Sequence, residues 1–245
     1  MARCACPLVG KPKAPDWPPP EPYGSGLFQQ RYFGDLIQIR ITGMTPSLSS
    51  IQQQKKALRK EMRRRRRSLS PLQQRQASKN FSRLLRSSPL FRFSKRIAFT
   101  MARDGEIDPA PLMQTALQRG KHCYLPVMSR FGPPRLEFRR WQAGQRLVNG
   151  AWAIPEPCGR RCPARVLNRV LTPLVAFDPH GNRLGMGKGF YDRSFAFLRR
   201  SSAQRPLLLG MAHECQRVER LEVASWDVPL RGIVTDRRWY GSSAD

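Results

Sequence analysis

The stretch Leu171–Arg193, LTPLVAFDPHGNRLGMGKGFYDR, decides the fold class. Leu171–Asp178 is an apolar run of the length expected for a strand buried on both faces, as in a parallel sheet covered by helices. A glycine-rich turn follows, and Phe190–Arg200 then reads as a helix. A strand that leads through glycines into a helix start is where open α/β sheets bind ligands. Gly185, Gly187 and Gly189 let the backbone approach an anion and aim successive N–H groups at it, while Arg183 and Lys188 add formal positive charge. The predicted ligand is a phosphate chain. The turn fits neither common phosphate loop. Gly185 and Gly187 put Phe190 where a dinucleotide fingerprint needs glycine, and Gly189 follows Lys188 where a P-loop needs Ser or Thr. Magnesium on the phosphates must therefore find its oxygen ligands elsewhere, and Asp192 is the nearest carboxylate. A plain turn with Asp192 stabilised by the helix dipole is the simpler alternative. Three alternate glycines with Arg, Lys, Tyr and Asp inside ten residues weigh against it.

Outward from this stretch, helix and strand signals alternate. Leu48, Ile51, Leu58 and Met62 sit at helical spacing, SLSPLQQRQ reads as a helix break and restart, and Phe81, Leu84 and Leu85 form the next apolar face. Two basic helices are thus expected before the first strand, Lys95–Met101. Pro109–Arg119 reads as a helix closed by Gly120, His122–Met128 as a second strand, and Arg135–Trp141 as a strand with one wet face. Pro206–Ala212 and Arg231–Asp236 are the remaining strands, the latter the last. The expectation is a layered α/β/α domain with a mainly parallel sheet over residues 48–240. Residues 1–47 are dense in Pro and Gly without a period of 2 or 3.6, which reads as a disordered or non-native extension.

Composition narrows the partners. Neither an 18-residue apolar run nor a secretory signal is present, and six cysteines are too few for a disulfide scaffold, so a cytoplasmic protein without a membrane is expected. Cys158 and Cys162 lack a histidine at ligand spacing, which argues against zinc. The net charge of +27 implies attraction to polyanions. The excess is partly local: sixteen Lys and Arg face one acid over Ile51–Thr100, against twenty-three and thirteen from Met101 onward. A dedicated nucleic-acid binder is the rival reading, carried by Arg63–Arg67. Five arginines at about 100° per residue wrap more than one helical turn and cannot form a one-sided stripe for a groove. The run reads as a solvated helix, with nonspecific polyanion binding at most.

The segment PLVAFDPHGNRLGMGKGFYDR resembles the signature of the 5-formyltetrahydrofolate cyclo-ligase family. KKALRKEM at Lys55–Met62, DGEID at Asp104–Asp108, IPEP at Ile154–Pro157, AHECQ and WDVPL follow the family's order, and the likeness runs from about residue 51 to 240. It implies conversion of 5-formyltetrahydrofolate to the 5,10-methenyl form with ATP as co-substrate and Mg2+. By the same resemblance Arg183, Leu184, Gly185, Met186, Gly187, Lys188, Gly189, Phe190 and Tyr191 cradle ATP, joined by Lys55 and Arg59, which share a helix face. Met186–Phe190 also touch the folate, Glu106 accepts the pterin's N–H edge, and Met101 lines that pocket. Lys188 and Arg183 are the implied catalytic cations, and Asp192 and Asp227 the metal ligands. The partners are small molecules only, and a monomer is expected. His213 reads either as a pocket residue or as a satisfied core histidine.

Overall fold

The computed structural model describes residues 48–129, 132–150, 155–199 and 205–241. The expected extension over residues 1–47 lies outside the described residues. Pro46–Asp245 gathers into one compact unit. Its first helix, α1 (Leu48–Arg67), turns Leu58, Met62 and Arg66 inward, while Lys56, Lys60 and Arg64 stay exposed. The predicted break and restart occur at Ser70, whose side chain accepts from the N–H of Gln73 while Gln73 reaches back to the N–H of Ser70. This capping box, with Pro71 at the first helical position, starts α2 (Pro71–Ser87). Helix α2 buries Ala77, Phe81 and Leu85, and a single further turn, α3 (Pro89–Arg92), precedes the sheet.

The strands are β1 (Arg96–Ala98), β2 (His122–Met128), β3 (Leu136–Trp141), β4 (Leu147–Asn149), β5 (Pro155–Pro157), β6 (Arg161–Cys162) and β7 (Arg169–Pro173). They continue with β8 (Ala176–Phe177), β9 (Arg183–Leu184), β10 (Leu207–Met211), β11 (Gly232–Val234) and β12 (Trp239–Gly241). Helix α4 (Ala110–Gln118) joins β1 to β2, and α5 (Phe190–Phe195) follows β9. Eight strands form the main sheet in the order β12-β11-β10-β7-β1-β2-β3-β6. The five from β11 to β2 run parallel, and β12, β3 and β6 add antiparallel edges. The mainly parallel expectation therefore holds. Within the parallel set the chain runs outward from β1 to β2, then returns to β7 on the other side of β1. Ligand crevices open outside the carboxyl ends of the strands at such a reversal, here β1 and β7.

Alternation along β1 sends its residues to two cores. Ile97 and Phe99 pack with Phe81, Leu85 and Leu112 of α2 and α4, whereas Ala98 packs with Val170, Leu208, Ile233 and Phe195. Each fully buried side chain of this size contributes roughly 1.5–3 kcal/mol against leaving it in water.

Leu171–Asp178 is not one strand. Strand β7 stops at Pro173, and Ala176–Phe177 pairs instead with Arg183–Leu184 in a separate hairpin. The carbonyls of Leu174 and Val175 leave the ladder and accept from the buried Gln216 side chain at 2.9 Å each. Asp178 ties the hairpin turn, accepting from the N–H groups of His180, Asn182 and Leu221 and from the Asn182 amide at 2.9–3.0 Å. An apolar run shows burial, not which sheet the backbone joins, so the split was hidden. Strand β12 follows Arg231–Asp236 and is the true last strand; β4, β5 and β6 were likewise unforeseen. The helix expected over Phe190–Arg200 is α-helical only to Phe195 and tightens to 3-10 over Ala196–Arg199.

Candidate active site

The hairpin β8–β9 follows β7 and carries the glycine-rich loop into α5. Gly187 and Gly189 adopt φ of 89° and 61°, left-handed values that favour glycine, and Gly189 forms the start of α5. Arg59 of α1 lies across the loop: its Nε donates to the Gly185 carbonyl at 2.8 Å, and a Cβ on Gly187 would stand 3.3 Å from its Cζ. Burial lowers the Arg59 pKa, but a guanidinium stays charged in proteins. Lys55, half-buried, sits one turn earlier on the same face. Met186, Gly187 and Lys188 are exposed at the loop tip, and Leu184 is buried below it. The Lys188 carbonyl accepts from Arg193, whose Nε donates to the Pro134 carbonyl at 2.7 Å and whose guanidinium covers the Phe190 ring.

Arg183 and Asp192 bracket the loop and meet in an ion pair at 2.5 Å, with the arginine side chain 7% exposed. Both also hold Val228: Arg183 donates to its carbonyl, and its N–H donates to Asp192 Oδ1 at 3.2 Å. The preceding residue, Asp227, accepts from the Ala224 N–H at 2.9 Å through Oδ2. The fold thus brings Asp192 beside the segment that carries Asp227. Among the described residues, no three His, Cys, Asp or Glu side chains cluster in a way that could hold a metal.

The opposite wall is the exit of β1. Met101 is half-buried against the core. Asp104 and Gly105 both take left-handed φ, 55° and 72°, and a Cβ on Gly105 would stand 3.0 Å from the Arg66 carbonyl oxygen. This turn places Glu106, whose Oε2 accepts from the Arg103 N–H at 3.3 Å and whose Oε1 stands 3.5 Å from Arg66. Burial pushes the Glu106 carboxyl up, against the opposing pull of Arg66. Tyr191 links the two walls. Its hydroxyl bonds Thr100, its ring stacks on Phe195, and burial together with the nearby Glu106 raises its pKa, leaving a neutral phenol.

One expectation needs correction. Arg63–Arg67 is not a solvated face. Arg66 is fully buried, Arg63, Arg66 and Arg67 converge on Asp104, and Arg64 and Arg65 pair with Glu61. Helix docking, which no single-helix pattern shows, supplies the acid 37 to 41 residues away. His213, 2% exposed, lies buried against the backbone of Gly105 and Glu106. Burial lowers its pKa. Arg66, Asp104 and Arg193 were missed as site-forming residues; the Asp-Gly turn at 104–105 was the one available signal.

The sequence model of the 5-formyltetrahydrofolate cyclo-ligase family matches residues 51–236. The chain belongs to that family. A 5-formyltetrahydrofolate cyclo-ligase of Escherichia coli is 37% identical over 177 residues, 71% of this chain and 96% of the relative. One from Haemophilus influenzae is 37% identical over 185 residues, 74% of this chain and 97% of the relative. The solved structure of Aquifex aeolicus 5,10-methenyltetrahydrofolate synthetase superposes with a TM-score of 0.68 at 32% identity, covering 78% of this chain and 94% of that one. This member of the cyclo-ligase family is accordingly an enzyme, a ligase of folate metabolism. No helix among the described residues is long and apolar enough to cross a membrane.

Proposed function

We propose that the enzyme closes 5-formyltetrahydrofolate to 5,10-methenyltetrahydrofolate with ATP and Mg2+, giving ADP and phosphate. The observation that carries this reading is Arg59 lying across a glycine loop with left-handed Gly187 and Gly189, with the half-buried carboxylate of Glu106 near Tyr191 of the same segment. One wall suits polyphosphate and the other suits an N–H edge.

A formamide oxygen leaves poorly, and its transfer to phosphorus solves that problem. The formyl oxygen takes the γ-phosphoryl group as ADP departs; nitrogen 10 then attacks the formyl carbon, loses its proton to solvent, and phosphate leaves with the oxygen. The loop backbone between Gly185 and Gly189 holds the phosphates, with Lys55 and Arg59 above them. Lys188, exposed at the loop tip, offsets charge on the transferring group. Arg183 orients Asp192. Glu106 accepts from the pterin, Met101 lines its pocket, and Met186 and Phe190 flank the folate. The donor set suits magnesium, which commonly uses one or two carboxylates plus phosphate oxygens: both contacts of Asp192 fall on Oδ1, which leaves Oδ2 for a cation beside Asp227. Bound there, Mg2+ would neutralise the phosphates.

Absorbance of the methenyl product tests the reading. It should appear only when 5-formyltetrahydrofolate, ATP and a divalent cation are all present. Full turnover without nucleotide would show that phosphoryl activation is not the route.

A further inference from the structure

Glu106 meets a fully buried arginine and does not close the pair. Arg66 stands 3.5 Å from Glu106 Oε1, whereas charge-assisted contacts of this kind settle at about 2.7–2.9 Å. The reason lies one turn away. Arg66 Nε donates to the Asp104 carbonyl at 2.8 Å, its Nη2 to Asp104 Oδ2 at 2.8 Å, and its Nη1 to the Leu174 carbonyl at 3.3 Å. Asp104 holds its own side by left-handed backbone and by Arg63 and Arg67, which bond the same carboxylate.

We propose that Asp104 is a positioning residue for substrate binding: by occupying Arg66 it keeps that guanidinium from capturing Glu106, so the Glu106 carboxylate stays open to the substrate. The inference rests on the reading of Glu106 as the acceptor for the pterin's amino and ring N–H groups. A carboxylate locked in a bidentate arginine pair has spent the lone pairs that such an edge needs. Affinity for the folate therefore depends on Asp104, which touches no substrate. Nucleotide affinity does not.

Asp104→Asn is the direct test, because asparagine tolerates left-handed backbone and keeps the side-chain shape while losing the charge. Calorimetry should show the Kd for 5-formyltetrahydrofolate rising about 10-fold or more, with kcat near wild type and the Kd for ADP unchanged. Adding Arg66→Gln removes the competitor, so the double variant should bind folate better than Asp104→Asn alone. A merely structural role predicts the reverse order. Should the double variant fail to fold by circular dichroism, Arg63→Gln decides: Arg63 bonds Asp104 but not Glu106, and its loss should leave folate affinity alone. Equal weakening by Arg63→Gln and Asp104→Asn overturns the inference, as does an unchanged Kd in Asp104→Asn. Wild-type protein that binds no 5-formyltetrahydrofolate sinks the functional reading instead.

Discussion

Lys188 and Arg183 are both cations of the glycine loop, yet the fold treats them differently. Arg183 is enclosed and engaged with Asp192 and Val228, which makes it a brace for the loop. Lys188 is exposed at the tip, and in the proposed mechanism its ammonium follows the phosphoryl group. On the proposed reading, the backbone N–H groups that hold ground-state phosphate are unaffected by a side-chain change, whereas the charge that Lys188 brings to the transferring group is lost with its ammonium. Lys188→Met should therefore lower kcat and kcat/KM together by roughly two to three powers of ten, with the fold intact. A raised KM for ATP at unchanged kcat in steady-state assays would make the lysine a binding residue alone.

Helix α1 is the element that unites the site. Its inward face lays Arg59 on the glycine loop and Arg66 beside Glu106, and three of its arginines grip Asp104. Burial alone would raise the Asp104 pKa, but hydrogen bonds from Arg63, Arg66 and Arg67 prevail and hold it at about 2, below its ordinary 3.8. A carboxylate whose folded pKa is lowered stabilises the fold at pH above its unfolded value and gives that up as pH falls toward the folded one. Thermal stability should thus drop between pH 3.8 and about 2 as the α1 anchor protonates. Calorimetry of Asp104→Asn should show a lower melting temperature at neutral pH and a shallower fall over that window. Glu61 is also held at about 2, by Arg64 and Arg65, but exposed pairs contribute little, so Glu61→Gln should keep the wild-type slope.

At the scale of the whole molecule, the likeness to the family lies in the part of the chain from residue 51 onward. Residues amounting to 71% of this chain match 96% of the Escherichia coli relative, and the family match begins at residue 51. Protein beginning at Met44 should keep the cyclo-ligase turnover and melting temperature of the full chain. Loss of either on truncation would show that the preceding residues dock on the enzyme.

Local sequence determined what local physics controls. The helix break and restart at SLSPLQQRQ, the strand His122–Met128 and the glycines at 187 and 189 were legible because each follows from hydrogen bonds, propensity or sterics within a few residues. The family resemblance implied Glu106, Arg59 and the loop as site residues; the fold lays Arg59 on the loop and sets Glu106 near Tyr191 of the same segment. Three things waited for the tertiary structure. Leu171–Asp178 divides between two sheets because Gln216, far along the chain, takes the carbonyls that a continuous strand would pair. Arg63–Arg67 looks like a solvated run until Asp104 arrives opposite it, since the desolvation of Arg66 is offset only by partners from another element. The pairing of Arg183 with Asp192 spans nine residues and a helix start, and only the folded loop could decide that one brace serves both.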